Sequence, residues 1–99
     1  MQEHNLKTLA PYWDAVARGE KTFEVRRDDR GFQKGDILLL RRMDDDNRRI
    51  YQTANGHSSF PDYVLTIKAR VEYVLTGGQF GIEPGYVVMA LADIEKLNT

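Results

Sequence analysis

The charged side chains Lys21, Glu24, Arg26 and Arg27 crowd into one segment, GEKTFEVRRDDRGFQKGD, which runs from Gly19 to Asp36. In an extended chain Glu24 and Arg26 share a face, and Lys21 at the mouth of the strand can lean toward them. Two cations then flank one carboxylate. That arrangement offers donors for phosphate or base oxygens beside an acceptor for an exocyclic amine. It also suits proton transfer, because a carboxylate near two cations stays ionised and a desolvated lysine releases its proton more easily. The plainer reading is an ion-pair cluster on the solvated face of a small sheet, which adds little to stability. Arg27 and Arg30 extend the cluster with planar forks that bind anions in pairs, although Arg30 has Asp28 and Asp29 beside it for local pairing.

Other chemistry has little support. There is no cysteine, hence neither a disulfide framework nor a thiolate metal site, and His4 and His57 are too far apart in sequence to form a chelating motif. Both histidines read as solvent-exposed or packing residues. Asp44, Asp45 and Asp46 lack the spacing and closing glutamate of a calcium loop and read as a solvated turn. GGQFG has neither the lysine nor the following helix of a phosphate-binding loop. No metal and no cofactor is called for.

The elements that must position these residues follow from periodicity. HNLKTL, from His4 to Leu9, reads as a first short strand. APYWDAVARGEK reads as a short amphipathic helix, with Pro11 in its first turn, an apolar stripe of Tyr12, Val16, Trp13 and Ala17, and Gly19 as its C-terminal cap. TFEVR alternates Phe23 and Val25 against Thr22, Glu24 and Arg26, so the apolar pair is expected to face the core and the polar triplet to face out. Gly35-Asp36 is a tight turn into a buried strand from Ile37 to Arg42. The span Ile50 to Asp62, with Asn55-Gly56 and Pro61, reads as a hairpin tip or an exposed loop. VLTIKARVEYVL places Leu65, Ile67, Ala69, Val71, Tyr73 and Leu75 at alternate positions, the pattern of a half-buried strand. A glycine-punctuated loop, TGGQFGIEPG, leads to a last buried strand, YVVMAL, and ADIEKLN is at most a short terminal helix.

Short strands in this number, with one or two short helices, predict an α+β fold built as a small, partly closed β-barrel, since closure removes exposed edges. In that setting Gln79 and Phe80 could form a wall opposite the charged cluster, glycines letting the backbone approach a ligand while an amide and a ring read its edge and face. The competing reading is a turn with Phe80 plugging the barrel end. Tyr12 or Trp13 could stack on a base at the cleft edge, but an aromatic on a short helix of a small protein usually anchors its interior.

At 99 residues the chain is expected to form one domain, spanning 1–99. Its composition, 41% hydrophobic and 29% charged, is that of an ordinary globular protein, with no low-complexity tract. Neither a leader peptide nor a run of roughly 20 apolar residues is recognisable, so a cytoplasmic protein without a membrane partner is expected. The net charge of −1 is unevenly spread: residues 18–49 hold ten basic against eight acidic side chains. A general coater of duplexes is plainly basic, so only a local anion-friendly patch is expected here.

Three blocks in order carry a family resemblance. GEKTFEVR resembles the Gly-x-Lys-Thr-x-Glu-x-Arg signature of ASCH domains, in the PUA-like superfamily of small β-barrels. FQKGDILLL is similar to that family's following turn and strand. GGQFGIEPGYVVMAL resembles the C-terminal hallmark of a small stand-alone branch of unknown function found in bacteria and phages. With HNLKTLAPYWDAVARG at the front, the resemblance covers most of the chain outside residues 43–63. It implies an RNA-binding or RNA-modifying module whose cleft, between barrel and helix, is lined by Lys21, Glu24 and Arg26. In one group of relatives the cleft hydrolyses the amide of acetylcytidine with a lysine, a threonine three residues later and a distant glutamate. Here Lys21 matches the lysine, but the position three further on is Glu24, and Thr22 projects to the opposite side of a strand.

Three functions are therefore open. The leading one is binding of RNA or a modified nucleotide through Lys21, Glu24, Arg26, Arg27, Gln79 and Phe80. The second is an amidohydrolase acting on an acylated cytidine-type nucleoside, with Lys21 and Glu24 moving the proton. The third is a protein-interaction module of phage or bacterial origin using the Ser58 to Tyr63 loop.

Overall fold

The computed structural model describes residues 1–43 and 64–98. Strand β1 (Glu3–Leu9) runs directly into helix α1 (Ala10–Ala17), followed by β2 (Phe23–Arg27), β3 (Ile37–Met43), β4 (Thr66–Thr76) and β5 (Tyr86–Lys96). The five strands form one mixed sheet in the order β1-β3-β4-β5-β2, in which β1 and β3 are parallel and the other pairs antiparallel. The sheet curls into a partly closed barrel, giving the α+β architecture expected from the strand pattern.

Helix α1 starts with Pro11 in its first turn, where the missing N–H has no intrahelical partner to lose. It buries Trp13 and Val16 against the inner face of the sheet, and the Trp13 indole N–H donates to the Leu40 carbonyl at 2.9 Å. Tyr12, expected on the same stripe, is exposed instead. Asp14 receives a forked pair of hydrogen bonds from Arg42 at 2.9 and 3.2 Å, which holds its carboxyl below the usual range and ties the helix to β3. The helix ends where Gly19 adopts φ +78°, and the N–H groups of Glu20 and Lys21 both return to the Ala15 carbonyl. This fixes the backbone of Lys21 against the helix end.

The core comprises Leu6, Trp13, Val16, Phe32, Leu38, Leu40, Ile67, Ala69, Val71, Val87, Met89 and Leu91. Its packing corrects three expectations. First, β2 is turned over: Glu24 is 3% exposed, whereas Phe23 and Val25 are 44% and 50% exposed. Second, the alternation along β4 reverses part-way. Val71 pairs with Leu91 but Tyr73 with Ala90, so the strand carries one extra residue, and Val74 packs inward while Tyr73 faces out. Third, the expected terminal helix is a strand. Residues Ala92 to Lys96 continue β5 along β4, and Asp93, at φ +54°, supplies the extra residue of a second irregularity between Lys68 and Arg70. Pairing with β4 outweighs the local helical preference of this tail.

The open seam of the barrel lies between the edge strands β1 and β2. The Gln2 carbonyl accepts from Ile37 of β3, so the carbonyls of Asn5 and Lys7 point the other way, toward the seam. There the guanidinium of Arg26 donates to the Lys7 carbonyl at 3.0 Å and that of Arg30 to the Asn5 carbonyl at 2.9 Å. Two side chains thus satisfy a strand edge that another backbone would otherwise cover. The expected hairpin tip or loop at Ile50 to Asp62, the acidic run Asp44 to Asp46, His57 and the Ser58 to Tyr63 loop lie outside the described residues. Within the described residues no helix is long and apolar enough to cross a membrane.

Candidate functional site

A hollow of ≈ 750 Å³ opens at this seam, between the end of β1, the first turns of α1 and the inner side of β2. Its walls are largely apolar: Leu9, Ala15 and the Tyr12 ring on one side, Phe23 and Val25 on the rim of the other. Its floor is charged. Lys21 Nζ lies 2.9 Å from Glu24 Oε1, and Arg26 Nε lies 3.0 Å from Glu24 Oε2. Lys21 also donates to the Phe23 carbonyl, and Arg26 donates to the Thr8 hydroxyl at 3.0 Å as well as to Lys7. The side chain of Glu24 is 4% exposed, while Lys21 and Arg26 retain 17% and 23%. The anion is therefore enclosed and the two cations reach solvent inside the hollow.

Each carboxylate oxygen of Glu24 holds one cation and has a second lone pair to offer. The lysine carries three donors and the guanidinium five, and the contacts above leave donors of both unassigned. The three groups together carry one net positive charge. A site of this composition can hold a flat polar molecule with both donor and acceptor atoms on one edge, its faces against apolar walls. A proton can also pass between Lys21 and Glu24 over a 2.9 Å contact.

The structure brings together only part of the set selected from sequence. Lys21, Glu24 and Arg26 share the hollow. Arg27, the next residue on the strand, points to the other face, where its guanidinium lies 5.7 Å from the centre of the Tyr86 ring in a second depression with Asp28, Asp29 and Glu83. Gln79 and Phe80 sit in the β4–β5 turn, and neither lines the hollow. The Gln79 amide is spent on the Thr76 carbonyl and hydroxyl, and the Phe80 ring is 83% exposed at φ +55°. That turn is tight because only glycine fits at 77, where a β-carbon would overlap the Glu83 carbonyl oxygen. Arg30 does not line the hollow; it takes up the local pairing considered for it, at 3.6 Å from Asp29, and adds a contact to the Asn5 carbonyl that the sequence did not suggest.

Thr8 is the residue that the sequence reading missed. It is 3% exposed, lines the hollow and accepts from Arg26, while its hydroxyl donates to the Leu6 carbonyl. The available signal was the inward sequence His4, Leu6, Thr8, which puts a hydroxyl on the core side at the end of a strand.

These residues fall within a stretch, residues 3–91, that matches a family described as a domain of unknown function, DUF3850. The chain belongs to this family. It is also similar to an uncharacterised 12.9 kDa protein in the GpA 3′ region of Escherichia phage P2, at 43% identity over 37 residues. That match covers 37% of this chain and 34% of the phage protein, so the chain spans about a third of the length of the curated relative it matches. The whole hollow, from Lys7 to Arg26, lies inside the DUF3850 match.

Proposed function

We propose that the hollow binds one nucleotide of an RNA, with its base held edge-on by Lys21, Glu24 and Arg26. The observation that carries this reading is the enclosed, interlocked trio of charges on the floor of a hollow whose walls are largely apolar, with Lys7, Thr8 and Glu20 as its other polar lining. Burying ions rarely stabilises a fold better than apolar packing does, so such a cluster in a cleft marks a site. Glu24 accepts from an exocyclic amine, Lys21 and Arg26 donate to ring nitrogen and carbonyl oxygen, and the exposed Tyr12 ring covers a face of the base. That complement matches cytosine, whose amine and carbonyl flank an acceptor nitrogen. The resemblance of GEKTFEVR to the ASCH signature points to the same class of ligand.

Titration with cytidine 5′-monophosphate, followed by NMR shifts of the Lys21, Glu24 and Tyr12 amides, tests the proposal. Lys21→Ala and Arg26→Ala are each expected to weaken binding about tenfold or more, since each removes a charge-assisted hydrogen bond of roughly 1.5–3 kcal/mol. Binding should also fall as salt rises. Unchanged affinity in both folded variants removes the assignment.

A hydrolytic reading draws on one contact within the same trio, the 2.9 Å approach of Lys21 to Glu24. In it Glu24 takes the proton of a water that attacks the amide carbon of an N4-acylated cytidine, and Lys21 returns a proton to the departing amine. Turnover of N4-acetylcytidine to cytidine and acetate above that of Lys21→Ala, measured by chromatography, is the result this reading requires.

A further inference from the structure

The inversion of β2 has a counterpart on the outside of the barrel. Phe23 pairs with Ala90, which pairs on its other side with Tyr73, and Val25 pairs with Val88, which pairs with Leu75. Directly paired residues lie on one face of a sheet, so these six side chains form two apolar rows across β2, β5 and β4. Phe23, Val25 and Tyr73 are 44%, 50% and 60% exposed. No described element covers them, and an apolar patch of this kind on a folded surface marks an interaction site. Two rings stand at the ends of one row with the small Ala90 between them, about 10 Å apart as two strand spacings require.

We infer that this outer face is a stacking platform for the bases that neighbour the one in the hollow, so that the ligand is a single-stranded RNA segment rather than a free nucleotide. The inference rests on the nucleotide-binding reading above. Two observations favour RNA over a protein partner. The platform is continuous with the hollow, because Phe23 and Val25 belong to both. A strand that leaves the hollow over this rim lies on the rows. The rows also have cations at their borders: Lys21 Nζ sits 4.9 Å from the Phe23 ring centre, and Arg27 lies over Tyr86 in the next row, in a depression it shares with Asp28, Asp29 and Glu83. Rings for bases with cations beside them for phosphates are the two parts of a single-strand binding surface.

The test compares fluorescein-labelled decacytidylate with cytidine 5′-monophosphate on the full chain, using anisotropy for the first and NMR titration for the second. The decamer is expected to bind at least about tenfold tighter. Tyr73→Ala, exposed and outside the hollow, is expected to weaken the decamer by roughly five- to a hundredfold, the range for loss of one stacked base, and to leave the mononucleotide unchanged. Val88→Glu, which puts an anion in the middle of the rows, should do the same. The platform is overturned if the decamer binds no tighter than the mononucleotide, or if Tyr73→Ala leaves decamer affinity intact. It is equally overturned if sedimentation shows a dimer that Tyr73→Ala dissociates without change in RNA affinity, since a second copy then occupies the face. In each of those results the mononucleotide still binds and loses affinity with Lys21→Ala. Absence of any mononucleotide binding is a different result, which removes the hollow reading and the platform with it.

Discussion

Glu24→Ala should lower the free energy of unfolding by about 2–3 kcal/mol and weaken cytidine 5′-monophosphate binding more than tenfold. Glu24 is the shared acceptor of Lys21 and Arg26, at 2.9 and 3.0 Å. Its removal leaves two cations facing a common gap. Removing one member of a fully buried pair costs about 3–5 kcal/mol, but Lys21 and Arg26 keep 17% and 23% of their surface and can turn partly to water, so the loss is smaller. Arg26 also keeps the Lys7 carbonyl and the Thr8 hydroxyl, so the side-chain link across the open seam survives. The double variant Lys21→Met with Glu24→Leu separates fold from function. It replaces the Lys21–Glu24 pair by apolar groups of similar length, a change that is often neutral or stabilising, and Arg26, which loses its carboxylate contact here as in Glu24→Ala, keeps the Lys7 carbonyl, the Thr8 hydroxyl and its access to water. Its unfolding free energy in urea should lie within about 1 kcal/mol of the original, while binding remains lost. If the double variant were as unstable as Glu24→Ala, the charges would be part of what holds the barrel together, and the functional reading of their burial would lose its footing.

How far the site was legible in the sequence turns on β2. Spacing alone put Glu24 and Arg26 on one face and Lys21 within reach, and the three do meet. Alternation does not say which face is inside. The usual rule sends Phe23 and Val25 inward, and it fails because β2 is an edge strand whose inner side looks across a seam rather than onto packed side chains. What fills that seam is β1 and the start of α1, and no local pattern records their approach. For the same reason Thr8 could not be found from the motif: it reaches Arg26 across 18 residues of chain. The strand pattern was sufficient for a partly closed barrel, because period two survives wherever pairing is regular. It misplaced Tyr73, because the irregularity of β4 shifts the register by one residue and a shift of one exchanges the faces, and it made the tail after Leu91 helical, because what holds those residues extended is pairing with β4, not their own pattern. Gln79 and Phe80 looked like a wall because glycines surrounded them. Those glycines serve the turn instead.

The largest effect on stability is expected at a residue that the sequence marks only as half of a tight turn. Asp36, in the turn before β3, is 3% exposed and accepts three hydrogen bonds: from the Gln2 N–H at 3.0 Å, from the His4 ring at 2.9 Å and from the Gln33 N–H at 3.0 Å. An ionised carboxylate only accepts, so His4 Nε2 carries the proton in this pair. The contacts join the start of β1 to the start of β3 and thereby set the register of the strand that carries Lys7 and Thr8 to the hollow. Burial raises the Asp36 carboxyl, but the Gln2 N–H, the His4 ring and the Gln33 N–H together outweigh it and hold the group below the usual carboxylate range. A carboxyl lowered in the folded state stabilises the fold above its unfolded pKa of about 3.9 and loses that contribution as pH falls through the folded value. In Asp36→Asn one acceptor becomes a donor aimed at another donor, a loss of roughly 3 kcal/mol when a charged hydrogen bond is removed and a buried donor is left unpaired. For a domain of this size that corresponds to a fall in Tm of about 12–24 °C at pH 7, measurable by circular dichroism. Below the unfolded pKa of about 3.9 the unfolded chain takes up a proton that the folded Asp36 resists, so the gap between the two proteins should narrow there. A gap that stayed constant from pH 7 to pH 2.5 would mean that the ionised carboxylate is not what joins the two strands.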